Sequence, residues 1–301
     1  MLPKRVLILG VTGMLGHTLF DRLSSSGNYD VFGTARSIRD LPLCFRGTDI
    51  KRIRSDVDAD NFDTVIRSLA TVQPDIVINC IGLIKQLPSA GDPLIAITIN
   101  AQLPHRISMI CMAAKARMIH ISTDCVFDGK QGMYTESDPP SPNDLYGRTK
   151  LLGEVTYPHC VTLRTSIIGH ELKSRLGLVE WFLAQADTVK GFTKAVYSGF
   201  PTVELSRIVE RHVLPNSSLS GLYHISSEPI SKYDLLKLIA EQYQKDIHIE
   251  PFDDFCCDRS LRSDHFRTLT GYSPPGWEAL VAEMHTDFVD RYYKTALSEE
   301  K

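Results

Sequence analysis

One turn constrains this chain more than any other. The apolar run Arg5-Val6-Leu7-Ile8-Leu9 ends at Gly10, Gly10-Val11-Thr12-Gly13-Met14-Leu15-Gly16 follows, and from Met14 to Leu23 apolar residues recur at helical spacing. A strand that bends this abruptly into a helix needs residues without a Cβ, which take positive φ and let another backbone or a ligand come close. Such a turn presents free N–H groups and the positive end of a helix to an anion, and a dinucleotide pyrophosphate fits it. The spacing is G-x-x-G-x-x-G instead of the more familiar G-x-G-x-x-G. Gly10, Thr12, Gly13, Met14, Leu15 and Gly16 form the candidate cradle.

The turn is the first of several alternations. Strand-like runs are read at 29–34, 74–80, 117–122 and 160–165, and helical patterns at 14–23, 62–69, 94–114 and 145–155. Apolar strands alternating with amphipathic helices predict an α/β fold, a doubly wound parallel sheet of Rossmann type covered on both faces. Beyond Ile167 the alternation loosens, with helical patterns at 178–186, 203–213, 232–243 and 277–293 and a strand returning to the sheet at 222–225. The expected division is a dinucleotide-binding domain over 1–166, with sheet and helix returns near 200–226, and a smaller interleaved substrate lobe over 167–301. A cleft is expected between lobe and sheet.

Composition narrows the partners. A net charge of -3 over 301 residues gives no global field for nucleic acid or anionic membrane. No apolar run approaches the roughly 18 to 20 residues of a membrane span. The seven cysteines are scattered, without C-x-x-C and without a secretory signal upstream, the pattern of a reduced cytoplasmic protein. Cys256-Cys257 make a poor chelate by themselves, and no metal is expected.

The second strand bears on the choice of cofactor. It runs Val31-Phe32-Gly33-Thr34-Ala35-Arg36-Ser37, with no carboxylate to bind ribose hydroxyls. A cation without an acid suits a 2′-phosphate, so Arg36, helped by Thr34 or Ser37, points to NADPH, with NADH as the alternative. Asp56 and Val57, after the third predicted strand, are candidates to flank the adenine.

The second informative segment is Tyr146-Gly147-Arg148-Thr149-Lys150. Phenol and ammonium at i and i+4 share one helical face. Carbonyl reduction needs an acid for the developing alkoxide, and a tyrosine serves when a cation lowers its pKa from about 10. The pattern gains weight from Ser122-Thr123-Asp124-Cys125-Val126-Phe127-Asp128-Gly129, where hydroxyls follow a strand at the edge where open α/β sheets bind ligands.

With Asn79-Cys80-Ile81-Gly82, Gly153-Glu154, Arg164-Thr165-Ser166, Pro201-Thr202 and Gly221-Leu222-Tyr223-His224, this ordered series closely resembles the extended short-chain dehydrogenase/reductase superfamily. Within it, the chain is similar over nearly its whole length to the dTDP-4-dehydrorhamnose reductase family. The resemblance implies that Thr123 orients a substrate carbonyl, that Tyr146 donates the proton, and that Lys150 holds the nicotinamide ribose and lowers the tyrosine pKa. Cys80, Ile81 and Gly82 would face the cofactor, and Asp124 and Cys125 the substrate. The family usually has tyrosine where this chain has Cys125. Dehydratases of the superfamily follow the threonine with Asp-Glu; here Thr123-Asp124-Cys125 lacks the glutamate, which favours reduction over dehydration.

Arg259, then Arg262, in Asp258-Arg259-Ser260-Leu261-Arg262-Ser263-Asp264 are candidates for a nucleoside diphosphate, and Lys85 for the sugar. Trp181 is read as a core residue and His170 as a surface one. The expected activity is NADPH-dependent reduction of a nucleotide-linked 4-keto-6-deoxyhexose for deoxysugar or surface-polysaccharide synthesis, and a homodimer is compatible with it. The alternatives are a nucleotide-sugar epimerase and a non-catalytic subunit, since the family also resembles the regulatory beta subunit of methionine adenosyltransferase.

Overall fold

The structure is a computed structural model, and residues 2–38, 45, 50–85, 88–172 and 175–296 are described. Seven parallel strands form the main sheet in the order β10-β6-β5-β4-β1-β2-β3. They are β1 (Arg5–Leu9), β2 (Asp30–Thr34), β3 (Ile53–Arg54), β4 (Ile76–Asn79), β5 (Arg117–Thr123), β6 (Cys160–Thr165) and β10 (Gly221–His224). The apolar run of β1 shows why no face is left to water. Val6 and Ile8 enter one core with Leu15, Leu19 and Phe20 of α1 (Met14–Ser26), while Leu7 and Leu9 enter the other with Val65 and Leu69 of α2 (Phe62–Val72). Alternate side chains of a strand point to opposite faces, so a continuous apolar run requires helices on both. This is the expected Rossmann-type sheet with a smaller C-terminal lobe.

The strand order reverses beside β1, with β2 on one flank and β4 on the other. Both crossovers leave their loops at the C-terminal strand ends, which makes this the ligand edge of the sheet. On its flank β5 pairs with β6, setting Thr123 opposite Thr165. The helix expected over 94–114 is wound differently: α3 (Pro93–Ala96) and α4 (Leu103–Ala113) are joined through a π-helical segment, Ile97–Gln102. The pattern at 145–155 forms α5 (Leu145–Leu152).

The C-terminal lobe departs most from the sequence reading. After β7 (Ile167–Ile168) and α6 (Leu178–Leu183) come β8 (Thr188–Tyr197), β9 (Phe200–Pro201), α7 (Thr202–Ile208), β11 (Ile230–Ser231), α8 (Lys232–Gln242), β12 (His248–Asp258), α9 (Asp264–Thr270) and α10 (Trp277–Ala296). Strands β11, β8 and β12 form a second sheet that the sequence reading does not contain. Most of β12 is exposed and carries a register shift between Phe252 and Cys256, so no regular alternation marks it. Trp181 on α6 is 40% exposed and is not a core residue. No described helix is long and apolar enough to cross a membrane.

Candidate active site

The glycine turn is built as its composition demands. Gly10 has φ +84°, its N–H donates to Thr34 Oγ1 at 3.1 Å, and the Gly13 N–H donates to the Gly10 carbonyl at 3.1 Å. A Cβ on Gly16 would lie 2.1 Å from the Gly10 oxygen, so only glycine lets α1 press against the turn. Gly13 caps α1 without a side-chain acceptor, and the first turn of the helix holds no acid. The N–H groups and positive end of α1 therefore meet no carboxylate from the helix's own first turn, and the cradle fits a pyrophosphate.

The other cofactor candidates divide. Arg36 is exposed just beyond β2. Thr34, read as its helper, is 1% exposed and accepts the Gly10 N–H, so its hydroxyl belongs to the turn and not to a phosphate site. Asp56 is exposed with φ 61°, and Val57 is buried with its N–H on the Ala35 carbonyl at 3.1 Å. The Cys80 N–H donates to Leu9 O at 3.1 Å and the Ile81 N–H to Asn79 Oδ1 at 3.1 Å, which carries the chain beyond β4 beside the cradle. At Gly82 a Cβ would stand 3.9 Å from Lys150 Nζ, which brings this segment to the catalytic candidates.

Thr123 ends β5. Its hydroxyl donates to Asp124 Oδ1 at 3.1 Å and accepts the Cys125 N–H at 3.1 Å, and it acts on the Tyr146 phenol. Helix α5 carries Tyr146 and Lys150, and two glycines seat it. A Cβ on Gly147 would lie 2.2 Å from the Cys125 carbonyl, and one on Gly153 1.9 Å from the Asn100 carbonyl. The sequence reading passed over Asn100. Its Oδ1 accepts the Leu83 N–H at 2.9 Å and its Nδ2 donates to Thr149 Oγ1 at 3.3 Å, linking the loop beyond β4 to α5. A lone amide within Ile97-Thr98-Ile99-Asn100-Ala101 was the available signal, and the π winding there marks the same spot.

Burial dominates the electrostatics. It lowers Lys150 to about 8, opposed by Glu154 and Cys80, and the ammonium donates to the Ile121 carbonyl at 2.7 Å. Burial likewise pushes the Tyr146 phenol well up, helped by Cys125, Asp124 and Asp144, while the Thr123 hydrogen bond pulls it down. Lys150, expected to lower the phenol, is not among the leading influences on it; its ammonium donates to the Ile121 carbonyl. Burial also pushes the Cys125 thiol up to about 12, so it is a neutral wall of the site. Below, Arg164 and Glu154 form a buried two-pronged pair at 2.7 and 2.8 Å, and Glu154 also accepts Ser122 Oγ at 2.7 Å.

The two arginine candidates separate. Arg259 reaches the site: its Nε donates to Phe127 O at 2.8 Å, Nη1 lies 3.7 Å from Cys125 Sγ, and its charge opposes the upward push of burial on Asp124. Arg262 is paired with Asp264 at 2.5 Å, in a crevice of about 280 Å³ that includes Met133, Ser226 and Arg267 but none of Thr123, Tyr146 and Lys150. Lys85 donates to Asp144 Oδ2 at 2.7 Å, at the start of α5. His170 bridges Glu180 at 2.6 Å and Tyr243 at 2.7 Å within the C-terminal lobe.

A dinucleotide cradle, a hydroxyl–phenol–ammonium cluster on the same sheet edge and the ordered segments around them converge with one family, the RmlD substrate binding domain, whose pattern matches residues 4–289. The chain belongs to this family. It is 28% identical over 252 residues to dTDP-4-dehydrorhamnose reductase of Aggregatibacter actinomycetemcomitans, covering 79% of each chain. It is 27% identical over 276 residues to methionine adenosyltransferase 2 subunit beta of Mus musculus, covering 83% of this chain and 76% of that one. The crystal structure of dTDP-4-dehydrorhamnose reductase from Bacillus anthracis, in complex with NADP, superposes with a TM-score of 0.78 at 22% identity, over 95% of this chain and 100% of that one. That last likeness concerns the fold.

Proposed function

We propose that this RmlD-family protein reduces the C4 ketone of a nucleotide-linked 4-keto-6-deoxyhexose, with NADPH as donor, in deoxysugar or surface-polysaccharide synthesis. The observation that carries the reading is the meeting of Thr123, Tyr146 and Lys150 at the C-terminal end of β5, beside the cradle made by Gly10, Gly13 and Gly16. A bound nicotinamide dinucleotide supplies hydride to the carbonyl carbon. The cradle and the start of α1 would hold its pyrophosphate, Arg36 the 2′-phosphate and Lys150 the nicotinamide ribose. Thr123 orients the carbonyl oxygen, and Tyr146 delivers the proton to that oxygen as the alcohol forms. A phenol held protonated by burial is in the form a proton donor needs. Arg259 faces the diphosphate, with Cys125 as the wall between it and the phenol.

The similarity to the methionine adenosyltransferase subunit favours a second reading, a cofactor-binding regulatory protein. One experiment separates the two: NADPH oxidation measured across a panel of 4-keto nucleotide sugars, with the product's C4 configuration assigned by NMR. Turnover is expected, and Tyr146→Phe, which keeps the ring and removes the acid, should lower it by about 10² or more while NADPH still binds. A folded, NADPH-binding wild type that turns over no ketone would sink the reductase reading. So would efficient dehydration of an NDP-hexose, followed by mass spectrometry, without any reduction.

A further inference from the structure

Strand β12 runs beside β8 until Asp258 pairs with Val196, and there the two chains part. The segment that follows crosses to the loop after β5 and carries Arg259 to the site. That loop receives it through the backbone: the Asp258 N–H donates to the Gly129 carbonyl at 2.7 Å, the Tyr134 N–H to the Ser260 carbonyl at 2.9 Å and the Arg262 N–H to the Tyr134 carbonyl at 2.8 Å. A chain that leaves a sheet loses its ladder partners, and a buried N–H without an acceptor is costly. Buried hydroxyls replace the ladder here. Ser260 Oγ donates to Asp258 Oδ1 at 2.6 Å and accepts the Met133 N–H at 2.8 Å. Ser198, in the turn between β8 and β9, accepts the Leu261 N–H at 2.9 Å, and Ser226 Oγ donates to the Leu261 carbonyl at 2.8 Å.

Arg259 stands between these anchors. Its Nε donates to the Phe127 carbonyl at 2.8 Å, so the aim of the guanidinium depends on that one contact and on the backbone from which the side chain starts. A guanidinium recognises a diphosphate through paired, directional N–H···O bonds, and a displacement of about half an ångström at its origin spoils them. We infer that Ser198 and Ser260 are positioning residues that fix Arg259 for the diphosphate of the nucleotide sugar, Ser198 from the side of the C-terminal lobe and Ser260 from the side of the loop after β5. The inference rests on the reading of Arg259 as the diphosphate contact. Without the Ser198 hydroxyl the Leu261 N–H is buried and unpaired, and the segment must shift to find it an acceptor; the shift is passed to Arg259, two residues away.

UDP and dTDP, titrated by calorimetry, probe the diphosphate site without any turnover. Arg259→Ala should weaken the nucleotide that binds by about tenfold or more, through the loss of charge-assisted hydrogen bonds. Ser198→Ala should weaken it by about threefold to tenfold, and Ser198→Thr, which keeps the hydroxyl, should stay close to wild type. Ser260→Ala, which cuts the segment from the other side, should act like Ser198→Ala. The decisive readout is the coupling: with Arg259 already replaced by alanine, Ser198→Ala should cost no further affinity, whereas a general loosening of the fold would cost the same in both backgrounds and weaken NADPH as well. With a ketone that turns over, KM should rise by the same factor while kcat holds. Equal costs in the two backgrounds would overturn the inference. A response to Arg259→Ala with none to either serine variant would sink it alone and leave the diphosphate reading standing. If Arg259→Ala binds both nucleotides as wild type does, or wild type binds neither, the diphosphate reading and the inference fail together.

Discussion

Gly147→Ala sets two physical effects against each other. In an exposed helix interior alanine is favoured over glycine by about 1 kcal/mol, so helix propensity predicts a more stable protein. The structure predicts the reverse. A Cβ at this position would sit 2.2 Å from the Cys125 carbonyl oxygen, 3.0 Å from Pro142 Cβ and 3.2 Å from the Cys125 carbonyl carbon. Ordinary contact lies near 3.4 Å, so helix and turn must part by about 1 Å at a site without free space. The turn resists, because Thr123 Oγ1 holds the Cys125 N–H and the Phe127 N–H closes on the Asp124 carbonyl at 3.0 Å. The helix therefore gives way, carrying Tyr146 with it. Overpacking of this kind costs about 1–3 kcal/mol, which outweighs the propensity gain and should lower Tm by a few degrees. A displacement of about 1 Å at a proton donor costs on the order of 10² in kcat. NADPH affinity should fall less than kcat, because the pyrophosphate cradle lies on α1 and only Lys150, the proposed ribose contact, moves with α5. The assay is kcat and KM with the best ketone of the panel, alongside NADPH titration and a melting curve. A variant with wild-type kcat and a raised Tm would refute the close-approach argument.

Arg36→Ala should weaken NADPH by about tenfold or more and leave NADH nearly unchanged, the signature of a lost hydrogen bond to a charged phosphate; equal losses in titrations of the two cofactors would remove Arg36 from that role. His17 is buried in α1 with its Nδ1 on the Gly13 carbonyl at 3.0 Å, and burial lowers it from 6.5 to about 4. Its proton binds more tightly in the unfolded chain, so its contribution is intact above about pH 6.5 and is lost as pH falls towards 4, by about 3 kcal/mol in all. Denaturant unfolding between pH 7 and 4 should show this loss, and His17→Gln should flatten it; an equal slope in the variant would assign the acid sensitivity to other groups.

The main sheet was legible in the sequence because its signals are local. A β1 whose alternate residues enter two different cores reads as a continuous apolar run, and the turn at Gly10 must be glycine whatever follows it. Tyr146 and Lys150 were legible for the same reason, since helical spacing alone puts them on one face. The second sheet was not. Strand β12 is mostly exposed, broken in register and supported by β8, which lies 60 residues earlier where Thr188 pairs with His248, so its pairing leaves little trace in its own residues.

The site divides along the same line. Residue types and spacing determined a glycine cradle, a hydroxyl after β5 and a phenol one turn from an ammonium. Only the tertiary structure decided their surroundings: Asn100 bridging to α5, Thr34 consumed by the Gly10 N–H, Arg259 arriving beside Cys125 while Arg262 pairs with Asp264, and Lys85 meeting Asp144. Each of these contacts joins segments distant in sequence or chooses between neighbours of the same type. The same division holds for protonation. Sequence places Lys150 one turn from Tyr146, but burial, a property of the whole fold, raises the phenol and lowers the lysine to about 8.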